Sequence, residues 1–141
     1  MPNVRIEVNS KRSAGDLFKI LTNGPNWPKW SKVGKFELLK DGDSGGETIN
    51  SIRRFSTGVL KITEQITAME PNKSFSYRAI AGIPVKSYDA LVCFNENGDI
   101  TTITWTAEFT ASKWLEPVMK VVIHQILKTM ATDLAKTTIV V

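Results

Sequence analysis

After Pro117 no glycine or proline interrupts the chain through residue 137, and this unbroken segment does most to limit what the chain can fold into. Leu115, Met119, Val122, Ile123, Ile126, Leu127, Met130 and Leu134 recur along it at spacings of three and four. At about 100° per residue they form one apolar stripe. Lys113, Lys120, His124 and Lys128 fall outside it. Ser112 can cap the start, Glu116 sits in the first turn, and Pro117 comes early enough to be tolerated. The pattern predicts a helix over residues 113–137, about 37 Å long at about 1.5 Å per residue. A single stripe of that length needs a broad apolar surface to lie on.

The preceding chain supplies one. Val4, Ile6 and Val8 alternate with Arg5, Glu7 and Asn9, which reads as a half-buried opening strand. Ser10 or Ser13 can cap a short helix with Ala14, Leu17, Phe18 and Leu21 on its apolar face, stopped by Asn23-Gly24-Pro25. A one-turn helix then carries Trp27 and Trp30 on one side, with Pro28 in its first turn. The two indoles read either as packing anchors where helix meets sheet or as a gate or partner contact.

From Gly34 to Thr110 the pattern is strands and tight turns. Six strands are predicted. The first is 36–39, and the second is 47–55, with a bulge because Ile49 and Ile52 have opposite parity. In the third, Leu60, Ile62, Glu64, Ile66 and Ala68 share one face. The fourth presents Phe75, Tyr77 and Ala79, the fifth Tyr88, Ala90, Val92 and Phe94, and the sixth Ile103, Trp105, Ala107 and Phe109. Asn97-Gly98 marks the tip of the last hairpin. Short turns imply an antiparallel meander, and its apolar face must be covered. The long helix is the cover, so residues 1–141 are expected to form one α+β domain with a curved antiparallel sheet wrapped around the C-terminal helix.

Composition excludes other classes. With 42% hydrophobic and 23% charged residues the chain is neither disordered nor membrane-spanning. Its net charge of +4 comes from 18 dispersed Lys and Arg, no zinc-finger or RNA-binding motif accompanies them, and no nucleic-acid partner is expected. The single Cys93 rules out an internal disulfide, and with His124 the sole histidine no metal site or Ser/His/Asp set can be assembled. No cofactor is expected. Met1-Pro2-Asn3-Val4-Arg5 carries no apolar leader, so a cytoplasmic location is expected.

The opening Val4-x-Ile6-x-Val8, Trp27-Pro28-x-Trp30, Ile62-Thr63-Glu64-Gln65-Ile66-Thr67-Ala68-Met69-Glu70-Pro71, Ser76-Tyr77-Arg78 and Ile103-Thr104-Trp105 occur in an order that spans nearly the whole chain. In this the chain resembles the helix-grip superfamily of START domains, Bet v 1-like (birch-pollen-allergen) proteins and polyketide cyclase/dehydrase-like proteins, and most of all the small bacterial members of the last group. The resemblance implies a helix-grip fold with a cavity. A local likeness to plant hormone receptors of the same superfamily places Glu64, Tyr77 and Tyr88 at positions that line the pocket there. Phe55-Ser56-Thr57-Gly58-Val59 stands in place of the receptors' gate loop, which argues against a gated receptor.

Strand alternation independently puts Glu64 among Leu60, Ile62 and Ile66. A carboxylate there is either paired with a nearby Arg or Lys, wetted at a cavity mouth, in contact with a ligand, or a general acid/base. Arg53 and Arg54 have opposite parity, and either can be the inward partner. Tyr77 and Tyr88 read as core tyrosines or as hydroxyls that orient a ligand. Trp105, Phe109, Val122 and Ile126 are the expected cavity wall. His124 is expected to face solvent, and Cys93 to be inert.

Three functions follow. The first is binding of a small hydrophobic or amphipathic molecule (a lipid, polyketide or aromatic metabolite) between sheet and helix. The second, implied by the resemblance, is cyclisation or dehydration of a polyketide-like substrate. The third is a chaperone-cofactor-like interaction role, with an outer patch around Trp27 and Trp30. The oligomeric state, monomer or dimer, stays open.

Overall fold

The computed structural model describes residues 2–141. Alternation builds the first strand: Val4 and Ile6 are buried while Arg5 and Glu7 are exposed along β1 (Asn3–Ser10). The Ser13 hydroxyl accepts from the Asp16 amide and caps α1 (Ala14–Leu21), whose apolar face enters the core. A 3₁₀ turn at Gly24–Asn26 leads into α2 (Trp27–Trp30). Six further strands follow: β2 (Lys35–Lys40), β3 (Ile52–Thr57), β4 (Leu60–Glu70), β5 (Ser74–Ala81), β6 (Ser87–Asn97) and β7 (Ile100–Thr110). The chain closes with α3 (Glu116–Lys136).

The strands form one antiparallel sheet in the order β1-β7-β6-β5-β4-β3-β2, a meander to which the opening strand is added beside the last. One face carries the core, including Ile66, Phe75, Val92, Ile103 and Trp105, and α3 buries Met119, Ile123, Leu127, Ala131 and Leu134. This is the expected α+β architecture, with four local differences.

Residues 47–51 form a loop, and β3 begins only at Ile52. The Glu47 carboxylate takes the Gly24 amide on both oxygens and also meets Arg53, which pulls this stretch away from a ladder. In β4 a register shift between Ile66 and Ala68 turns Ala68 outward and sends Met69 to the core side, so Ala68 leaves the expected face. The last hairpin turns at residues 98–99, closed by the Asn97–Ile100 pair. Finally, α3 starts at Glu116 rather than residue 113. The Ser112 carbonyl accepts the amides of Leu115 and Glu116, so its backbone and not its hydroxyl finishes the helix start.

Candidate functional site

The site is created by uneven helix–sheet contact. α3 packs mainly on β1, with lesser contact to β7 and α1. The sheet curls past the far edge of the helix, and a cavity of about 180 Å³ remains between α3 and the β3–β5 half of the sheet. Phe55, Ile62, Ala79 and Ile83 line the sheet side, and Met119, Val122, Ile126 and Met130 line the helix side. Val122 and Ile126 lie on the rim of the helix stripe and stay 41% and 38% exposed. Burial of the stripe is completed by Ala131 instead.

Three polar side chains share this apolar space: Glu64 from β4, Tyr77 from β5 and Tyr88 from β6. Glu64 is 5% exposed and Arg53, opposite it in the β3–β4 register, is fully buried. The Arg53 Nη2 donates to Glu64 Oε1, and Nε reaches the same oxygen at 3.2 Å. Nη1 donates to the Leu21 carbonyl at 3.0 Å and to Glu47 Oε1 at 3.2 Å. The guanidinium also lies 4.9 Å from the Phe55 ring, 5.1 Å from Phe75 and 5.5 Å from Trp27. Ring faces favour a cation there and shield it from water. Arg54 has the opposite parity and meets Thr63.

Both guanidinium contacts fall on Glu64 Oε1, and Oε2 takes no hydrogen bond from the described residues. Burial raises the Glu64 pKa above its usual 4.5, the charge and hydrogen bond of Arg53 oppose the rise, and the charge of Glu47 adds to it. The carboxyl therefore has one tethered oxygen and one free to serve the cavity.

The tyrosines are firmly neutral. Burial pushes Tyr77 well above its usual value, and Tyr88 and the Glu64 charge add to this, against a lowering by the Trp105 hydrogen bond. Tyr88 is raised mainly by burial, with its contact to Tyr77 opposing. The Trp105 indole N–H donates to the Tyr77 oxygen at 3.1 Å, and their rings meet edge to face at 87°. This bond anchors the Tyr77 hydroxyl as an acceptor and leaves its proton to be donated elsewhere, with the Tyr88 hydroxyl as a neighbour. Its ring stands 6.2 Å from that of Tyr88.

Of the residues singled out by sequence, Glu64, Tyr77, Tyr88, Val122 and Ile126 come together at this cavity, and Trp27 lines it as well. Trp105 and Phe109 do not line it: both are fully buried in the core behind it, where Trp105 orients Tyr77. Trp27 and Trp30 are buried too, with ring centroids 4.8 Å apart and planes tilted by 53°, and Trp27 donates from its indole to the Leu21 carbonyl. They give the expected outer interaction patch no surface. His124 is exposed, and Cys93 is half-buried with its thiol pKa raised by burial. Arg53 was the residue the pattern left undecided. The signal was present: a two-residue turn at Gly58-Val59 sets Thr57 against Leu60, and counting back pairs Arg53 with Glu64.

A curved antiparallel sheet that grips a C-terminal helix and keeps a cavity between them defines the helix-grip class, START/Bet v 1-like. The sequence profile described as polyketide cyclase/dehydrase and lipid transport matches residues 1–138, and the chain belongs to that family. Family and fold are those of hydrophobic-ligand-binding domains. No curated protein matches the sequence significantly. Among solved structures, the protein XoxI from Bacillus cereus superposes with a TM-score of 0.80 at 14% identity, covering 96% of this chain and 94% of that one. A START superfamily protein from Mycobacterium smegmatis gives 0.80 at 14% identity, covering 94% of each chain. Norcoclaurine synthase from Thalictrum flavum, solved with dopamine and hydroxybenzaldehyde, gives 0.75 at 16% identity, covering 96% of this chain and 84% of that one.

Proposed function

We propose that the protein binds a compact, single-ring hydrophobic molecule carrying a polar end, in the cavity between α3 and β3–β5. The observation that carries this reading is the cavity's size combined with its lining. A cavity of about 150 Å³ walled by aliphatic and aromatic side chains is large enough for benzene. The space here is about 180 Å³, which suits one ring with a small substituent. Drug-sized ligands occupy pockets of roughly 300–1,000 Å³, so a four-ring polyketide or a long acyl chain would need the helix to move. The apolar wall supplies burial, at about 25 cal/mol per Å² before ordering costs. Glu64 Oε2 supplies an acceptor and the tyrosine hydroxyls supply donors, a match for a phenol or an enol. The norcoclaurine synthase neighbour holds single-ring phenols, which supports the size class.

Thermal-shift and calorimetric titration with 4-ethylphenol, a four-ring aromatic and palmitate tests it. Expected is stabilisation by 4-ethylphenol, about 2.7 kcal/mol at a hundredfold excess over Kd. That binding should weaken at least tenfold in Glu64→Gln and Tyr88→Phe. Saturable binding of palmitate with none of 4-ethylphenol would overturn the size argument.

A second reading rests on the same free oxygen. A carboxyl with a raised pKa beside neutral phenol donors can move a proton on a bound ketone while the donors hold its oxygen. Turnover of a model β-ketone that is lost in Glu64→Gln would favour the enzyme, and binding without turnover the simple binder.

A further inference from the structure

We propose, building on the binding reading given above, that Glu47 is a positioning residue for the cavity's acceptor. By holding Arg53 from the far side, it keeps the guanidinium on one oxygen of Glu64 and leaves Oε2 for the ligand. An arginine beside a carboxylate commonly sets two parallel N–H bonds on its two oxygens. Arg53 does not: its Nε and Nη2 both fall on Glu64 Oε1, and no described residue donates to Oε2. The reason lies on the other side of the guanidinium. Nη1 donates to Glu47 Oε1 at 3.2 Å and to the Leu21 carbonyl at 3.0 Å. Two acceptors, one of them charged, hold that edge away from Glu64. The group is rigid and planar, so it cannot turn to serve both Glu64 oxygens without giving these contacts up.

Glu47 is itself fixed. Its two oxygens accept from the Gly24 amide at 2.8 and 2.9 Å, and its side chain is 13% exposed. It lines an outer groove with Lys19, Asn23 and Pro25, and no part of the cavity wall. By contact, then, a change at Glu47 reaches a ligand in two ways only. One runs through Arg53. The other runs through Gly24 to Trp27, which lines the cavity. The two routes differ in signature. Loosening Trp27 weakens every ring the cavity takes, whereas releasing Arg53 onto Oε2 weakens only a ligand that donates a hydrogen bond there. The electrostatics agree, because the Glu47 charge is among the causes that raise the Glu64 pKa. Besides Arg53 and Glu47, the ionisable groups facing Glu64 are Tyr77 and Tyr88, and α3 adds none to the cavity wall.

Glu47→Gln keeps the side-chain length and an oxygen for the Gly24 amide while removing the charge. The full chain and this variant would be titrated calorimetrically with 4-ethylphenol and with ethylbenzene, which differ by one hydroxyl. The Glu64 carboxyl would be followed by carbon NMR across pH without ligand. Expected is about fivefold weaker binding of 4-ethylphenol, with ethylbenzene changed by less than about twofold. The Glu64 midpoint should move to lower pH as Arg53 closes on it. In a Glu64→Gln background the same change should leave the ratio of the two affinities as it was. Equal weakening of both ligands, or an unmoved Glu64 midpoint, would overturn the proposal and make Glu47 a structural tether of Gly24. Failure of both ligands to bind the parent protein would instead overturn the binding reading, and the Glu64 midpoint would still decide whether Glu47 holds Arg53.

Discussion

Replacing Arg53 by Met removes the cation while keeping much of its bulk. Arg53 makes contacts to Glu64, Glu47 and the Leu21 carbonyl, but they are not equally vulnerable. Leu21 keeps the Trp27 indole as a donor, and Glu47 keeps the Gly24 amide on both oxygens. Only Glu64 is orphaned, at 5% exposure among aliphatic and aromatic neighbours. Stranding one member of a buried pair costs about 3–5 kcal/mol. For a domain of this length that lowers Tm by roughly 10–20 °C. The loss should shrink in acid, where Glu64 is protonated in both proteins, and grow toward neutral pH, because each pKa unit is worth about 1.4 kcal/mol. Arg53→Met/Glu64→Leu removes the stranded carboxyl and should recover most of the loss, to within about 1–2 kcal/mol of the parent. Guanidinium denaturation of the four proteins at acid and neutral pH measures all of this. A pH-independent cost below about 1 kcal/mol for the single variant, or a double variant no better than the single, would refute the buried, Arg53-dependent Glu64.

Glu64→Gln should also change the pH dependence of stability. Because the folded pKa lies above 4.5, the Glu64 contribution is fullest below 4.5 and declines as pH rises through the folded value. The stability difference between parent and Glu64→Gln should therefore fall with rising pH in that range, and a rising difference would contradict the direction of the shift. Tyr77→Phe leaves the Trp105 indole N–H without its acceptor in a fully buried position and should cost about 1–3 kcal/mol by denaturant titration. Gly82→Ala should cost at least about 2 kcal/mol. Gly82 sits at φ +99°, and a Cβ there would fall 1.9 Å from the Lys61 carbonyl oxygen, so an unchanged Tm would mean this turn is laxer than drawn.

The strand faces, the capped α1 and the amphipathic α3 were legible because alternation and three–four spacing are local properties of the chain. So was the inward aim of Glu64, Tyr77 and Tyr88. What could not be read was depth. Trp105 and Phe109 share a face with core residues, and nothing in their spacing tells a cavity wall from the layer behind it. That depends on where α3 crosses the sheet, over β1 rather than β5. The β4 bulge that exchanges Ala68 for Met69 and the loop at 47–51 were hidden for a related reason. Each is set by pairing outside its own segment: the bulge by the register of β4 against β5, and the loop by Glu47 reaching Gly24 and Arg53. The burial of Trp27 likewise involves Phe55, whose ring centroid lies 4.3 Å from that of Trp27.

The central claim is that a ring-sized apolar space lies between α3 and the sheet and takes a ligand whose polar end meets Glu64. Intermolecular NOEs with 4-ethylphenol test it most directly. The account expects contacts from the ring and ethyl protons to the methyl groups of Ile62, Val122 and Ile126, together with a perturbed Glu64 carboxyl resonance. Contacts confined to exposed residues such as Val59 and Trp114, with the Glu64 resonance unmoved, would contradict it.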